Sequence, residues 1–176
     1  MGKITIDELD QSLIDLIGSG GRSEDKFAGI SGVDINSPNV FTDGSLTTDI
    51  NSSHGQCYVI NSSTAGNQTI FSANLSEIKY GHYAICLRMK INTATTNDII
   101  RLSVLNDGRT IMSKKFNGSE FEDINKYQYL YSTFVYESTN MAKTNLNIRI
   151  EVLSVDGIEV RFDYAYVNMI MPSIYS

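Results

Sequence analysis

The sequence predicts a mainly β protein, an antiparallel β-sandwich preceded by a short N-terminal α-helix. Three observations carry this. Beyond residue 80, apolar and polar residues alternate in run after run, as in strands with one buried face. Asn106-Asp107-Gly108 and Asp156-Gly157 punctuate these runs as turns. Only residues 1–17 carry a helical spacing instead, and Gly18-Ser19-Gly20-Gly21 closes that segment.

The helix is specified at both ends. Thr5-Ile6-Asp7-Glu8 matches a capping box, in which the Thr5 hydroxyl accepts from the Glu8 backbone N–H and the Glu8 carboxylate reaches back to the cap. Asp7, Glu8 and Asp10 place negative charge near the positive end of the helix dipole. Gly18 suits the left-handed residue that ends helices, and residues 18–26 read as a flexible linker. Ile6, Leu9, Leu13 and Leu16 follow a 3-4-3 spacing, the a and d positions of a heptad, and Ile14 and Ile17 widen that seam. An isolated helix this short is marginal in water, so the seam needs a partner. Packing on its own domain is one solution. The glycine tether favours another, association with copies of itself or with a second protein.

Residues 27–176 form the expected β-sandwich domain. Up to about residue 80 the chain is polar and turn-rich, with short apolar groups at 27–33, 40–41, 57–60 and 69–75. Tyr83, Ile85, Leu87, Met89 and Ile91 then alternate with His82, Ala84, Cys86, Arg88 and Lys90. Ile100, Leu102 and Val104 form a strand that the 106–108 turn returns along residues 109–116, as in a hairpin. Residues 127–136 are strand-like and aromatic. Leu146, Ile148, Ile150 and Val152 make one more strand, and Ile158, Val160, Phe162, Tyr164 and Tyr166 complete the set. The intervening Arg101, Arg149, Glu151, Glu159, Arg161 and Asp163 are expected on an exposed surface or a subunit contact, joined by cross-strand ion pairs.

With 176 residues and a net charge of -6, the chain can bury a sizeable core and offers no basic stripe for phosphate, so nucleic acid is not an expected partner. No apolar run reaches membrane-spanning length, and the N-terminus lacks a signal-peptide arrangement. Synthesis as a soluble cytosolic protein is the expectation. On that basis the Asn-X-Ser/Thr sequons at Asn51, Asn61, Asn67, Asn74 and Asn117 read as solvated turns.

Catalysis is not expected. The chain has two histidines, His54 and His82, and neither lies in a nucleophile motif; the acidic run at 120–123 reads as a solvated loop. His54-x-x-Cys57 and His82-x-x-x-Cys86 supply zinc-binding residue types, but an extended chain separates the Cα atoms of residues 82 and 86 by about 13 Å. No metal site is therefore assigned. A Cys57–Cys86 disulfide fits neighbouring strands, although cytosolic synthesis favours free thiols. Asp34-Ile35-Asn36 and Asp43-Gly44-Ser45 are oxygen-rich enough for a structural calcium, but the turn preferences of Asp, Asn, Gly and Ser favour plain turns. No other cofactor is expected. Tyr127, Tyr129 and Tyr131 alternate onto one face, where they either stack against sugar rings or pack in the sandwich or at a subunit contact.

Two resemblances extend this reading. Tyr80-Gly81-His82-Tyr83-Ala84-Ile85-Cys86-Leu87-Arg88, the Asn-Asp-Gly turn, Tyr127-Gln128-Tyr129 and the closing Val160-Arg161-Phe162-Asp163-Tyr164-Ala165-Tyr166-Val167 resemble the galactose-binding-like jelly rolls of carbohydrate-binding modules. That resemblance implies a jelly roll, a sugar ligand and often a structural calcium, although the chain lacks tryptophan, a common sugar-stacking residue. The segment from Ile4 to Ile17 looks like the opening of structural appendage proteins in phages and prophages of Gram-positive bacteria. It implies a virion component, a fibre, adhesin or decoration protein, contacting other virion proteins. The expected function is accordingly a non-enzymatic virion appendage that self-assembles through its helix and displays a jelly roll, with a carbohydrate-binding adhesin as the alternative.

The seam makes a direct prediction. By analogy with fibres the assembly is expected to be a parallel trimer, and replacing both Leu9 and Leu13 by Asp buries charge in it. Light scattering should then report monomers with an intact β domain. An unchanged oligomeric mass would place self-association in the sandwich instead.

Overall fold

In a computed structural model, described here for residues 43–53, 55–75, 80–137, 146–155 and 157–172, the chain forms two antiparallel sheets. The strands in chain order are β1 (Ser45–Thr48), β2 (Gln56–Asn61), β3 (Gln68–Leu75), β4 (Gly81–Ile91), β5 (Asp98–Asn106), β6 (Arg109–Asn117), β7 (Gln128–Tyr136), β8 (Leu146–Val152) and β9 (Glu159–Pro172). One sheet has the order β1-β2-β9-β4-β7 and the other β3-β8-β5-β6. From β2 onward this is the strand order of a jelly roll: the chain passes repeatedly between sheets, and its last strand enters the middle of the first. The expected helix at 1–17, its linker at 18–26 and the apolar groups at 27–33 and 40–41 lie outside the described residues, as do Asp34 to Asn36, His54 and Asp156.

Alternation determines which way each strand faces. Tyr83, Ile85, Leu87, Met89 and Ile91 of β4 are buried, as are Ile100, Leu102 and Val104 of β5 and Leu146, Ile148, Ile150 and Val152 of β8. These interdigitate into one core, where Phe71 lies 5.5 Å from Phe162 and Tyr83 stacks on Phe134 at 5.1 Å between ring centroids. The β5–β6 hairpin turns at Asp107 and Gly108, whose φ values of 48° and 77° match the two left-handed residues of a type I′ turn.

Two expectations require correction. Residues 158–166 do not keep one alternation, because β9 carries a bulge at Asp163: Arg88 pairs with Tyr164 and Met89 with Phe162. Phe162 therefore faces the core, whereas Tyr164 and Tyr166 are half-buried on the opposite face, and Ala165 and Val167 take over the inward positions. The charged residues do not share one surface either. Arg101, Arg149 and Glu151 lie on the four-stranded sheet, and Glu159, Arg161 and Asp163 on the five-stranded one. Asp163 is fully buried, not exposed. Cys57 and Cys86 are free buried thiols, as expected, and they do not lie on neighbouring strands, because β9 separates β2 from β4.

After β6 the chain makes one 3₁₀ turn, Gly118–Glu120, capped by Asn117, whose side chain accepts from the Ser119 N–H while Glu120 returns a carboxylate to the Asn117 N–H at 2.9 Å. Gly118 is buried against the β4–β5 connection, and a Cβ there would stand 2.3 Å from the Thr95 carbonyl oxygen. Because that neighbour is backbone, the loop must move to admit a methyl group. Gly118→Ala should lower stability by about 1–3 kcal/mol through overpacking, measured by denaturant unfolding.

Candidate functional site

The face of the five-stranded sheet turned away from the core gathers most of the unusual chemistry of the described residues. Register sets its layout. Arg88 of β4 lies between Tyr129 of β7 and Tyr164 of β9, and in the next row Cys86 lies between Tyr131 and Tyr166. Small Cys86 at the centre leaves the four rings as the dominant surface. Tyr129 and Tyr131 are offset-stacked at 6.3 Å, Tyr164 and Tyr166 are tilted at 4.8 Å, and the Tyr129 and Tyr164 hydroxyls meet at 3.1 Å. Tyr131 is 53% exposed and Tyr129 37%. The result is an aromatic platform with phenolic groups along one edge, built on strands and not on loops.

One end of the platform is walled by residues 49–53, which fold back from β1. The wall is held by two buried carboxylates. Asp163, pushed outward by its bulge, pairs with Arg88 and accepts from the Ser53 backbone N–H at 3.0 Å and the Ser53 hydroxyl at 2.9 Å. Arg88 also donates to the Asn51 carbonyl at 3.2 Å and lays its guanidinium 4.5 Å above the Tyr127 ring. Asp49 is bound by Lys90 at 2.6 Å, Arg161 at 3.0 Å, the Tyr127 hydroxyl at 3.1 Å and the Asn51 N–H at 3.0 Å. Arg161 is shared with Glu159 at 2.7 Å. Three cations thus meet three carboxylates, Asp49, Asp163 and Glu159, and the wall carries no net charge.

The environments follow from these contacts. Burial works to raise the Asp49 pKa, but Lys90, the Asn51 N–H, Arg161 and Tyr127 together outweigh it and hold the carboxyl well below its usual range. Burial, followed by Cys57 and Asp49, pushes the Tyr127 phenol up; burial and the Tyr129 hydroxyl do the same for Tyr164. Burial raises the Cys86 thiol to about 11. At neutral pH these phenols are hydrogen-bonding hydroxyls, and Cys86 is an inert, protonated thiol.

Of the tyrosines singled out in sequence, Tyr129 and Tyr131 stand on the platform. Tyr127, just before β7, is turned under Arg88 and Lys90 and belongs to the wall. Tyr164 and Tyr166 are missed by sequence reasoning because an unbroken alternation assigns them to the same face as Phe162. The signal lies in the change of parity from Val160 and Phe162 to Ala165 and Val167. Asp43 of the Asp43-Gly44-Ser45 stretch accepts the Thr69 N–H at 2.8 Å and donates its own N–H to the Thr69 carbonyl at 2.9 Å, a long-range tie to β3, and Gly44 has φ of 91°. Among the described residues no group of three or more His, Cys, Asp or Glu is placed to hold a metal ion, and no helix is long and apolar enough to cross a membrane. Ile6, Leu9, Leu13 and Leu16 lie outside the described residues.

No protein-family model matches the chain, and no curated protein matches it significantly in sequence. Solved structures do resemble it. A family 35 carbohydrate-binding module from an environmental isolate superposes with a TM-score of 0.53 at 13% identity, covering 81% of this chain and 96% of the other. A family 35 module from Clostridium thermocellum gives 0.53 at 12% identity, over 78% of this chain and 98% of that one. A cyclase from Fischerella sp. TAU gives 0.52 at 11% identity, over 78% and 80%. At such identities the likeness is one of fold, a carbohydrate-binding-module-like jelly roll, and the cyclase illustrates that this fold hosts more than one activity.

The Asp49 cluster has a pH signature. Because the folded carboxyl titrates below its unfolded value, its stabilisation is complete above about pH 4 and is lost as pH falls towards the folded pKa. Asp49→Asn should cost roughly 3–5 kcal/mol at pH 7, since it strands Lys90 and Arg161 without their buried partner. It should also flatten the loss of stability between pH 4 and 2, measured by thermal melts across that range.

Proposed function

We propose that this domain is a non-catalytic carbohydrate-binding module whose ligand, a neutral saccharide chain, lies across Tyr129, Tyr131, Tyr164 and Tyr166. The observation that carries this reading is the platform of four rings, Tyr129 and Tyr131 exposed and Tyr164 and Tyr166 half-buried, on the outer face of β4, β7 and β9. Aromatic rings bury the apolar C–H faces of sugars, while the Tyr129 and Tyr164 hydroxyls are placed to exchange hydrogen bonds with sugar hydroxyls. The balanced charges of the wall favour a neutral ligand over phosphate or nucleic acid. The raised Tyr164 phenol and the Cys86 thiol at about 11 stay protonated at neutral pH, which favours binding over proton transfer at these two groups. The similarity in fold to family 35 carbohydrate-binding modules supports the same reading.

A second element of the proposal concerns display. The seam at Ile6, Leu9, Leu13 and Leu16 supports several copies joined through the N-terminal helix, as in a virion appendage. Several weak platforms on one stalk bind a repetitive glycan surface with an avidity no single site reaches.

A glycan array followed by calorimetry on the full chain tests the proposal. Tyr131→Ala should weaken binding by about tenfold, the equivalent of ~1.4 kcal/mol, and leave the melting temperature nearly unchanged because the ring is half in solvent. Absence of any glycan ligand, or unaltered affinity in Tyr131→Ala and Tyr164→Ala, would sink it.

A further inference from the structure

The opposite face of the sandwich, the outer surface of the four-stranded sheet, is chemically unlike the platform. Ser113 of β6, Ser103 of β5 and Arg149 of β8 sit side by side across three strands, with the Arg101–Glu151 pair in an adjacent row and Leu105 opposite Thr110. Together they line a groove of about 300 Å³. Glu151 is already engaged. Its two oxygens accept from Arg101 Nε at 2.8 Å and from the Arg101 terminal nitrogen at 2.9 Å, the two-pronged geometry that best neutralises a guanidinium. Arg149 has no carboxylate partner among the described residues. The groove therefore carries one uncompensated guanidinium beside hydroxyls, in a chain of net charge -6.

We propose that this groove is a second ligand site, independent of the tyrosine platform, that takes a sugar unit bearing a carboxylate, such as a hexuronic acid. Arg149 binds the carboxylate through two parallel N–H donors, the mode for which its planar fork is suited. The Ser103, Ser113 and Thr110 hydroxyls, each both donor and acceptor, match the hydroxyls of a pyranose. The volume lies at the lower end of small-molecule sites, sized for a single ring and larger than a bare carboxylate needs. Arg101, held by Glu151, supplies a wall without competing for the anion. Charge then distinguishes the two faces: neutral sugar on the aromatic sheet, acidic sugar on the polar one.

Sodium glucuronate, glucose and sodium acetate titrated separately into the isotope-labelled full chain test this by amide chemical-shift mapping. Glucuronate should shift amides of β5, β6 and β8, leave those of β4, β7 and β9 in place, and bind about tenfold or more tighter than either glucose or acetate. Arg149→Gln should abolish that response, and Arg149→Lys should weaken it several-fold because an ammonium lacks the planar fork; the unperturbed spectra of both variants verify folding. Tyr131→Ala should leave it intact, so failure of the platform reading and failure of this one are separable. Equal responses to glucuronate and glucose, a response to acetate as strong as to glucuronate, binding retained in Arg149→Gln, or no shifts at tens of millimolar would each overturn the proposal.

Discussion

The buried carboxylate of Asp163 is the constraint on which the outer face of the five-stranded sheet depends. A charged group with no solvent exposure is strongly unfavourable unless its oxygens are all met by donors, and here they are met by Arg88 and by the N–H and O–H of Ser53. None of these is local in sequence. The bulge turns Asp163 outward, Arg88 is brought beside it by the β4–β9 pairing, and Ser53 arrives from the connection after β1. One carboxylate therefore joins two adjacent strands and a loop, and it sets the register that puts Tyr164 on the outer face. Without the extra residue, Tyr164 would point where Ala165 points, into the core.

Asp49 repeats the device in the same wall. It gathers Lys90, Arg161, Tyr127 and the backbone of its own loop, so the wall at residues 49–53 is fastened by two carboxylates instead of one. Each cation is shared: Arg88 also covers Tyr127, and Arg161 also holds Glu159. Networks of this kind lose more when one member is removed than pairwise contacts suggest, because the remaining charges stay buried. Their structural consequence is rigidity. For the proposed saccharide site, a ring stacked on a fixed strand needs little ordering on binding, which preserves binding energy otherwise lost to entropy.

The two exposed faces diverge because their strands present different residues outward. On β4, β7 and β9 these are tyrosines around small Cys86, and on β5, β6 and β8 they are serines, arginines and Glu151. The sheets also meet at an edge, where Lys114 of β6 donates to the Tyr131 carbonyl at 2.9 Å. That lysine occupies a backbone acceptor on the open side of β7 and places a charge there, both of which discourage another strand from adding to the sheet.

Local alternation by itself makes β4, β5 and β8 legible in the sequence, and the glycine-containing turn at 106–108 does the same for the β5–β6 hairpin, because both patterns depend only on neighbours in the chain. The aromatic character of 127–136 is equally plain, and with it Tyr129 and Tyr131. What alternation cannot carry is a partner several strands away. Whether Arg161 faces water or Asp49, whether Cys57 neighbours Cys86 or is parted from it by β9, and whether Arg149 finds a carboxylate as Arg101 does all depend on sheet order, which is set by contacts between distant residues. The bulge at Asp163 belongs to the same class. In sequence it is one residue in an outwardly regular run, and only the closing of β9 between β2 and β4, with Arg88 and Ser53 waiting for a buried charge, decides that the run changes phase there.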